Sequence, residues 1–465
     1  MTISRSSHEP ELYLPLDRNA DRPLYQQLEQ ALRDAVRGGR LAAGAPLPSS
    51  RALAEQLGVT RGVVVSAYEQ LSAEGYLISR PGATTRVARV PSAVASSPVA
   101  VRRRFGTDFR PGRPDVTEFP RAEWLRSLRR VIDVAPAERL NYLDGGGMPE
   151  LRTALATYLN RVRGTSASAD GIIITTGVAQ AMHLVTRALV ARGARRIAVE
   201  DPFHPDYRQM FGEDGLSVVA IPIDDDGMRV DMLDAAGVDA VVVTPAHQYP
   251  TGAVLSAERR AALIGWADRH DAVVIEDDYD AEFRYDRVPV GAMQGLCADR
   301  VIYAGTASKT LAPGLRLGWL AVPPRLRDAI ARAKLDADQG SSALDQLALA
   351  DFLDHGELDR HLRRMRVIYR HRRDALLEAL ERHLPDWTPT GASAGLHVLA
   401  WLPTGADEAR IVAVAAEEDI GLSGVAASCH FPDARAGVIF GYGSIDVGRI
   451  APGIAVLARA VHAER

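Results

Sequence analysis

The sequence predicts an α/β protein in two unlike parts: a small helical module closed by a hairpin, then a long body of buried strands alternating with helices. Three observations carry that expectation. Leucines recur every four residues near the front and are followed by two cappable helical stretches and a Pro-Gly turn. Beyond about residue 109, short and nearly continuous apolar runs alternate with amphipathic stretches, the mark of a largely parallel sheet covered on both faces. Charge divides the same way: residues 1–105 hold fourteen arginines against nine acids, so with a total of −4 the other 360 residues carry −9.

Composition sets the outer bounds. A chain of 465 residues exceeds what one core organises. With 47% hydrophobic and 25% charged residues it has the make-up of an ordinary globular protein. No apolar stretch approaches the roughly 18 residues of a membrane span, and MTISRSSHEPELYLPL lacks the apolar core of a signal peptide. The expectation is a cytoplasmic protein with no membrane partner. Cys297 and Cys429, the only cysteines, are too few for a disulfide framework or a cysteine-based metal site, and no metal is expected.

In chain order, Pro23 to Arg40 reads as an amphipathic helix with Leu24, Leu28, Leu32 and Val36 on one face. Ser49 or Ser50 is placed to cap a short helix through Leu57. Gly58-Val59 makes the turn, and Thr60 is placed to cap a second helix to about Glu74. Tyr76–Ser79 and Thr84–Val87 then alternate around Pro81-Gly82 as a small hairpin. Helix, helix, turn, helix and wing make a winged helix-turn-helix over residues 15–90. The segment LPSSRALAEQLGVTRGVVVSAYEQLSAEGY resembles the GntR-type regulators and follows their signature almost throughout. In such a module the N-terminal turn of the second helix enters the major groove of double-stranded DNA. Arg61 is expected on a base edge, and Ser49, Arg51, Thr60 and the wing residues Arg80 and Thr84 on the backbone. Gly62-Val63-Val64-Val65 departs from the polar residues often found there, which leaves readout to Arg61 and DNA shape. A helical protein-interaction module with solvated arginines is the alternative. The Ala-, Ser-, Val- and Pro-rich segment 91–108 reads as a linker.

The body should begin at 109, with a large part over about 145–345 and a smaller α/β part over about 350–465. Strands are expected at Ile172–Thr175, Ile197–Val199, Val218–Ile223, Ala240–Val243, Ala272–Ile275, Val301–Ala304 and Leu317–Val322. Sites on such sheets gather at the carboxyl ends of strands, where four motifs stand. Thr176-Gly177-Val178-Ala179-Gln180 opens a helix and offers an anion site. His247-Gln248-Tyr249-Pro250-Thr251-Gly252 follows another strand. Glu276-Asp277-Asp278-Tyr279 supplies carboxylates and a phenol, for which a magnesium site or a solvated acidic turn is the alternative. The fourth is the loop of Thr306, Ser308 and Lys309, with Arg316 seven residues on.

Lys309 is the most informative residue. It is one of two lysines against fifty-three arginines, and a guanidinium cannot replace an amine that must attack a carbonyl. An amine, two hydroxyls and a cation in one loop suit a cofactor with an aldehyde and a phosphate. Lys334, the other lysine, reads as an ordinary surface residue of a helix.

Over about Phe109 to Arg465 these motifs resemble the fold-type I pyridoxal-phosphate enzymes of the aspartate aminotransferase class. With the front module, FRPGRPD, HQYPTG, EDDYDAEFRY and SKTLAPGLRLGW make the whole chain resemble the MocR subfamily of GntR regulators. The resemblance implies pyridoxal 5′-phosphate as cofactor, Lys309 as its Schiff-base lysine, Asp277 at the pyridine nitrogen and Tyr279 at the phenolic oxygen. It implies Thr306, Ser308, Arg316 and the Gly177-Val178-Ala179 turn on the phosphate, Tyr142 reaching the phosphate of the partner subunit in a homodimer, and His204 as the ring-stacking residue. Two departures stand against transamination. Ile439 occupies the place of the arginine that clamps a substrate carboxylate, and Tyr249 that of a usual asparagine; Arg435, Arg208 and Arg284 are the candidate substitutes. The function expected is a transcriptional regulator sensing an amine or pyridoxal phosphate itself, the alternative being a working aminotransferase with an accessory DNA-binding domain.

Overall fold

The computed structural model describes residues 14, 16–80, 83–89, 103–285, 290–431 and 435–463. They fall into two compact units whose boundary lies between Arg103 and Arg104. The Pro81-Gly82 turn and positions 91–102 of the expected linker lie outside the described residues.

In the first unit the leading helix spans Leu24–Arg37, and Gly38 and the left-handed Gly39 stop it short of Arg40. Ser49 caps the Ser50–Leu57 helix through its hydroxyl, which accepts from the Ala52 amide at 3.2 Å. Gly58, at φ 62°, ends it. The second helix of the motif spans Arg61–Ala73; Thr60 holds the N-cap position, but its side chain makes no capping hydrogen bond, contrary to expectation. Leu77–Ile78 pairs antiparallel with Arg86–Val87 as the wing. Leu28, Leu32, Leu53, Val64 and Leu71 form the core, against which the Tyr68 hydroxyl donates to the Pro48 carbonyl at 3.0 Å.

The second unit is built on an eight-stranded sheet. From one edge its strands are Ile172–Thr175, Gly318–Ala321, Val301–Thr306, Val273–Asp278, Ala240–Val243, Arg196–Asp201, Ser217–Asp224 and Gly227–Met228. The central pairings are parallel; Gly318–Ala321 runs antiparallel to both neighbours, and Gly227–Met228 to its one. Alternate side chains feed different cores. Ile172 and Ile174 join one, Ile173 another, and this is why the runs read as continuously apolar. Several strands run further than their apolar runs: Arg196–Asp201 takes in Glu200 and Asp201, Val301–Thr306 takes in Gly305 and Thr306, and Val273–Asp278 takes Glu276, Asp277 and Asp278 into the sheet.

The smaller part carries an antiparallel sheet in the order Thr388–Thr390, His397–Trp401, Gly437–Gly441, Ser423–Gly424. The helices Glu357–His383 and Val447–Ala463 pack with it. Thr107–Asp108, at the end of the expected linker, is strand paired with Ile420–Gly421 and so belongs to the body.

Candidate functional site

The site grows from the ends of adjacent strands. Register places Thr306 opposite Gly318, and Gly318 opposite Thr175. From that row leave the Gly177 turn and the one-turn helix Ala307–Thr310, which carries Ser308 and Lys309. Gly177 has φ 113°, which disfavours any side chain, and it opens the Val178–Ala191 helix with the free amides of Val178 and Ala179. The Thr306 hydroxyl accepts from the Ser308 amide at 3.1 Å and lies 3.0 Å from the Ser308 hydroxyl. A Cβ on Gly177 would stand 3.0 Å from the Arg316 guanidinium, so the cation lies over the turn. Amides, hydroxyls and a guanidinium therefore converge at one strand end, as an anion requires.

Behind the turn, Gln180 accepts from the Thr176 amide at 2.8 Å and donates to Asp338 at 2.8 Å. Asp338 in turn accepts from Lys334 at 2.5 Å. Lys334 is thus not a surface lysine. Only 1% of it is exposed, because it follows Leu326 and Ile330 on the buried face of the Pro324–Asp338 helix.

Beside the turn lies a cavity lined by Lys309, Asp277, Tyr279 and His204 among the sequence-derived candidates. The Lys309 amine donates to the Gly112 carbonyl at 2.6 Å. Burial lowers its pKa, and Asp280 and Asp277 oppose that shift. Period two sorts the acids of the strand. Glu276 accepts from the amides of Met293 and Gln294 at 2.9 and 3.1 Å. Asp278 pairs with Arg163 and accepts from the Tyr303 hydroxyl, each at 2.7 Å. Both are therefore structural. Asp277 faces the cavity, its Oδ1 buried without a hydrogen-bond partner, and burial, followed by Asp278 and Asp280, pushes its carboxyl up to about 8. That carboxyl is suited to a protonated ring nitrogen.

Tyr279 contacts His247 Nδ1 at 3.1 Å, and the same nitrogen lies 3.0 Å from Asp280. The His204 ring stacks on Tyr207, centroids 4.7 Å apart, and lies 5.5 Å from Tyr249. Tyr142 is outside the cavity and 83% exposed.

Sequence reasoning singled out neither Asp280 nor Gly112, although both lie in quoted motifs, and it missed Tyr207 and His397, which also line the cavity. His397 carried no sequence signal, since it arrives from the smaller sheet. Among the described residues no arginine lines the cavity. Ile439 is buried against Leu399 and Val425. Arg208 donates to the Cys429 and Ala427 carbonyls, Arg284 donates to Ala246, and Arg435 lies over Trp401.

In the first unit Ser49, Arg51, Thr60, Arg61, Arg80 and Thr84 are all exposed, and Arg61 Nε lies 3.3 Å from the Ser50 hydroxyl. Of the apolar run at the helix start, Val64 is core, Val63 and Val65 are half-buried, and Gly62 is exposed.

Comparison with known proteins agrees with this division. Residues 24–87 match the bacterial regulatory proteins of the gntR family, and residues 117–420 match aminotransferase class I and II. The chain is 34% identical to the probable rhizopine catabolism regulatory protein MocR of Rhizobium meliloti, over 95% of this chain and 94% of that protein. It is 33% identical to the HTH-type pyridoxine biosynthesis transcriptional regulator PdxR of Corynebacterium glutamicum, over 93% and 95%. Among solved structures, the multiple substrate aminotransferase of Thermococcus profundus superposes with a TM-score of 0.71 at 28% identity, covering 77% of this chain and 91% of that one.

Proposed function

We propose, since the chain belongs to the MocR subfamily of GntR-type transcriptional regulators, that its aminotransferase-like unit is a pyridoxal-phosphate-dependent sensor of a small amine. Its output is the occupancy of a double-stranded DNA operator. The working form is a cytoplasmic homodimer, in which the exposed Tyr142 reaches the partner's phosphate site.

The residues fit the cofactor. The unpartnered carboxyl of Asp277 suits the ring nitrogen, and the Gly177 turn under Arg316 suits the phosphate. When bound, pyridoxal phosphate supplies an aldehyde that condenses with primary amines and a ring that draws electrons. Lys309 supplies the resident amine, and burial favours its neutral, nucleophilic form. Tyr279, whose hydroxyl lies 3.1 Å from His247 Nδ1, would hold the phenolic oxygen of the ring. Thr306 and Ser308, with Arg316 and the Val178 and Ala179 amides, would hold the phosphate. An incoming amine competes with Lys309, and it moves the operator equilibrium only by its differential affinity for the two states of the protein.

One observation supports a sensor over an enzyme: the cavity has no arginine among the described residues, and Ile439 is buried at the place of the usual clamp. Transamination needs the Cα–H bond held perpendicular to the ring, and losing a bidentate carboxylate contact costs on the order of 10²-fold in rate. The test is a single-turnover and steady-state assay of the reconstituted protein with α-amino acids, ω-amino acids and polyamines. Spectral shifts with slow conversion at most are expected. Rapid multiple-turnover keto-acid production would establish an enzyme instead.

A further inference from the structure

We infer that the sensed amine carries no carboxylate and enters with a neutral or cationic far end, an inference that rests on the amine-sensing reading above. The cavity lining holds one side-chain amine, Lys309, and two acids, Asp277 and Asp280. Lys309 and Asp277 face the cofactor, which leaves Asp280 as the remaining formal charge of the lining, 1% exposed and paired with His247.

Outside the lining the nearby charge is acidic as well. Asp206 is exposed in the first turn of the Pro205–Glu213 helix, next to the lining residues His204 and Tyr207 in sequence; burial first and then the Asp206 charge raise the Tyr249 phenol to about 12, so it stays neutral. Leu396, Pro111 and the rings of Tyr249 and His204 complete the wall. Aromatic faces near carboxylates attract cations and offer an anion nothing.

The smaller sheet would be the source of a carboxylate clamp, and register shows what it provides. His397, which lines the cavity, is opposite Gly441, and one pair along on the same face Leu399 is opposite Ile439. An aliphatic pair stands where a guanidinium would have to project. The nearby arginines are held elsewhere: Arg208 by two backbone carbonyls and Arg435 over Trp401. A carboxylate brought into this cavity would lose its water without gaining a cationic partner.

Matched pairs that differ only by the carboxylate test this. Tyramine against tyrosine, cadaverine against lysine, agmatine against arginine and ethanolamine against serine are titrated into the full-length, cofactor-loaded protein by calorimetry and absorbance, at constant ionic strength. In each pair that binds, the decarboxylated member is expected to bind about tenfold or more tightly. An amino acid that binds as tightly as its amine, or more tightly, overturns the inference and leaves the amine-sensing reading standing. If neither member of any pair binds while the cofactor stays in place, the amine-sensing reading fails and takes the inference with it. Ile439→Arg should narrow or reverse the preference. Should that variant not fold, the wild-type pairs decide alone.

Discussion

Lys334 and Asp338, one helical turn apart, form an ion pair in which the ammonium lies 2.5 Å from the carboxylate and the lysine is 1% exposed. Through Gln180 the pair reaches the Thr176 amide, so it braces the turn of Gly177 from behind. The chain's two lysines therefore do different things. Lys334→Ala should leave the protein yellow but lower its stability by about 1–3 kcal/mol, because Asp338 loses its partner in a half-buried place. Lys309→Ala should abolish the colour at little cost in stability. Absorbance and denaturant unfolding of both variants check this. A colourless Lys334→Ala beside a yellow Lys309→Ala would reverse the assignment.

Asp277 gives a pH prediction. Its folded pKa, about 8, lies above the unfolded value, so the cofactor-free fold holds a proton that the unfolded chain releases. That contribution is fully present below about pH 4 and is lost as pH rises through about 8. Asp277→Asn removes the titration. The cofactor-free variant should therefore gain on the wild type by roughly 4 kcal/mol between pH 5 and 9. Urea unfolding across that range measures it, and a difference that stays constant with pH would refute the assignment of the shift to this carboxyl.

The strands were legible because burial on both faces writes them as continuous apolar runs, and Ile172–Thr175 and Ala240–Val243 have the expected ends. The acids after Ile275 misled in one respect. They remain in the strand because Arg163 and Tyr303 bind Asp278 Oδ2 and two backbone amides bind Glu276, partners distant in sequence. Lys334 was legible in principle, since Leu326, Ile330 and Lys334 are spaced by four, but a lysine in a charged helix reads as solvated. His397 was not legible at all. It joins the cavity by the docking of one sheet against another, which no local pattern records.

At the DNA module, Arg61→Ala should cost about 1–3 kcal/mol at the cognate operator and blur its sequence preference. Arg51→Ala should weaken all sequences alike and flatten the salt dependence. Titrations across salt on specific and random duplexes separate the two. Intact preference in Arg61→Ala would move specificity to DNA shape or to other exposed positions of the Arg61–Ala73 helix.

In the proposed function Lys309 is the link between a small amine and the operator. The most direct measurement is operator affinity by fluorescence anisotropy at fixed salt, with and without a binding amine, in wild type and in Lys309→Ala, both supplied with pyridoxal phosphate. Coupling between sites of this kind is typically about 5- to 150-fold. The wild type is predicted to change its operator Kd within that range when the amine is added, and Lys309→Ala to keep one value throughout. A Lys309→Ala protein that responds to the amine as the wild type does would contradict the account.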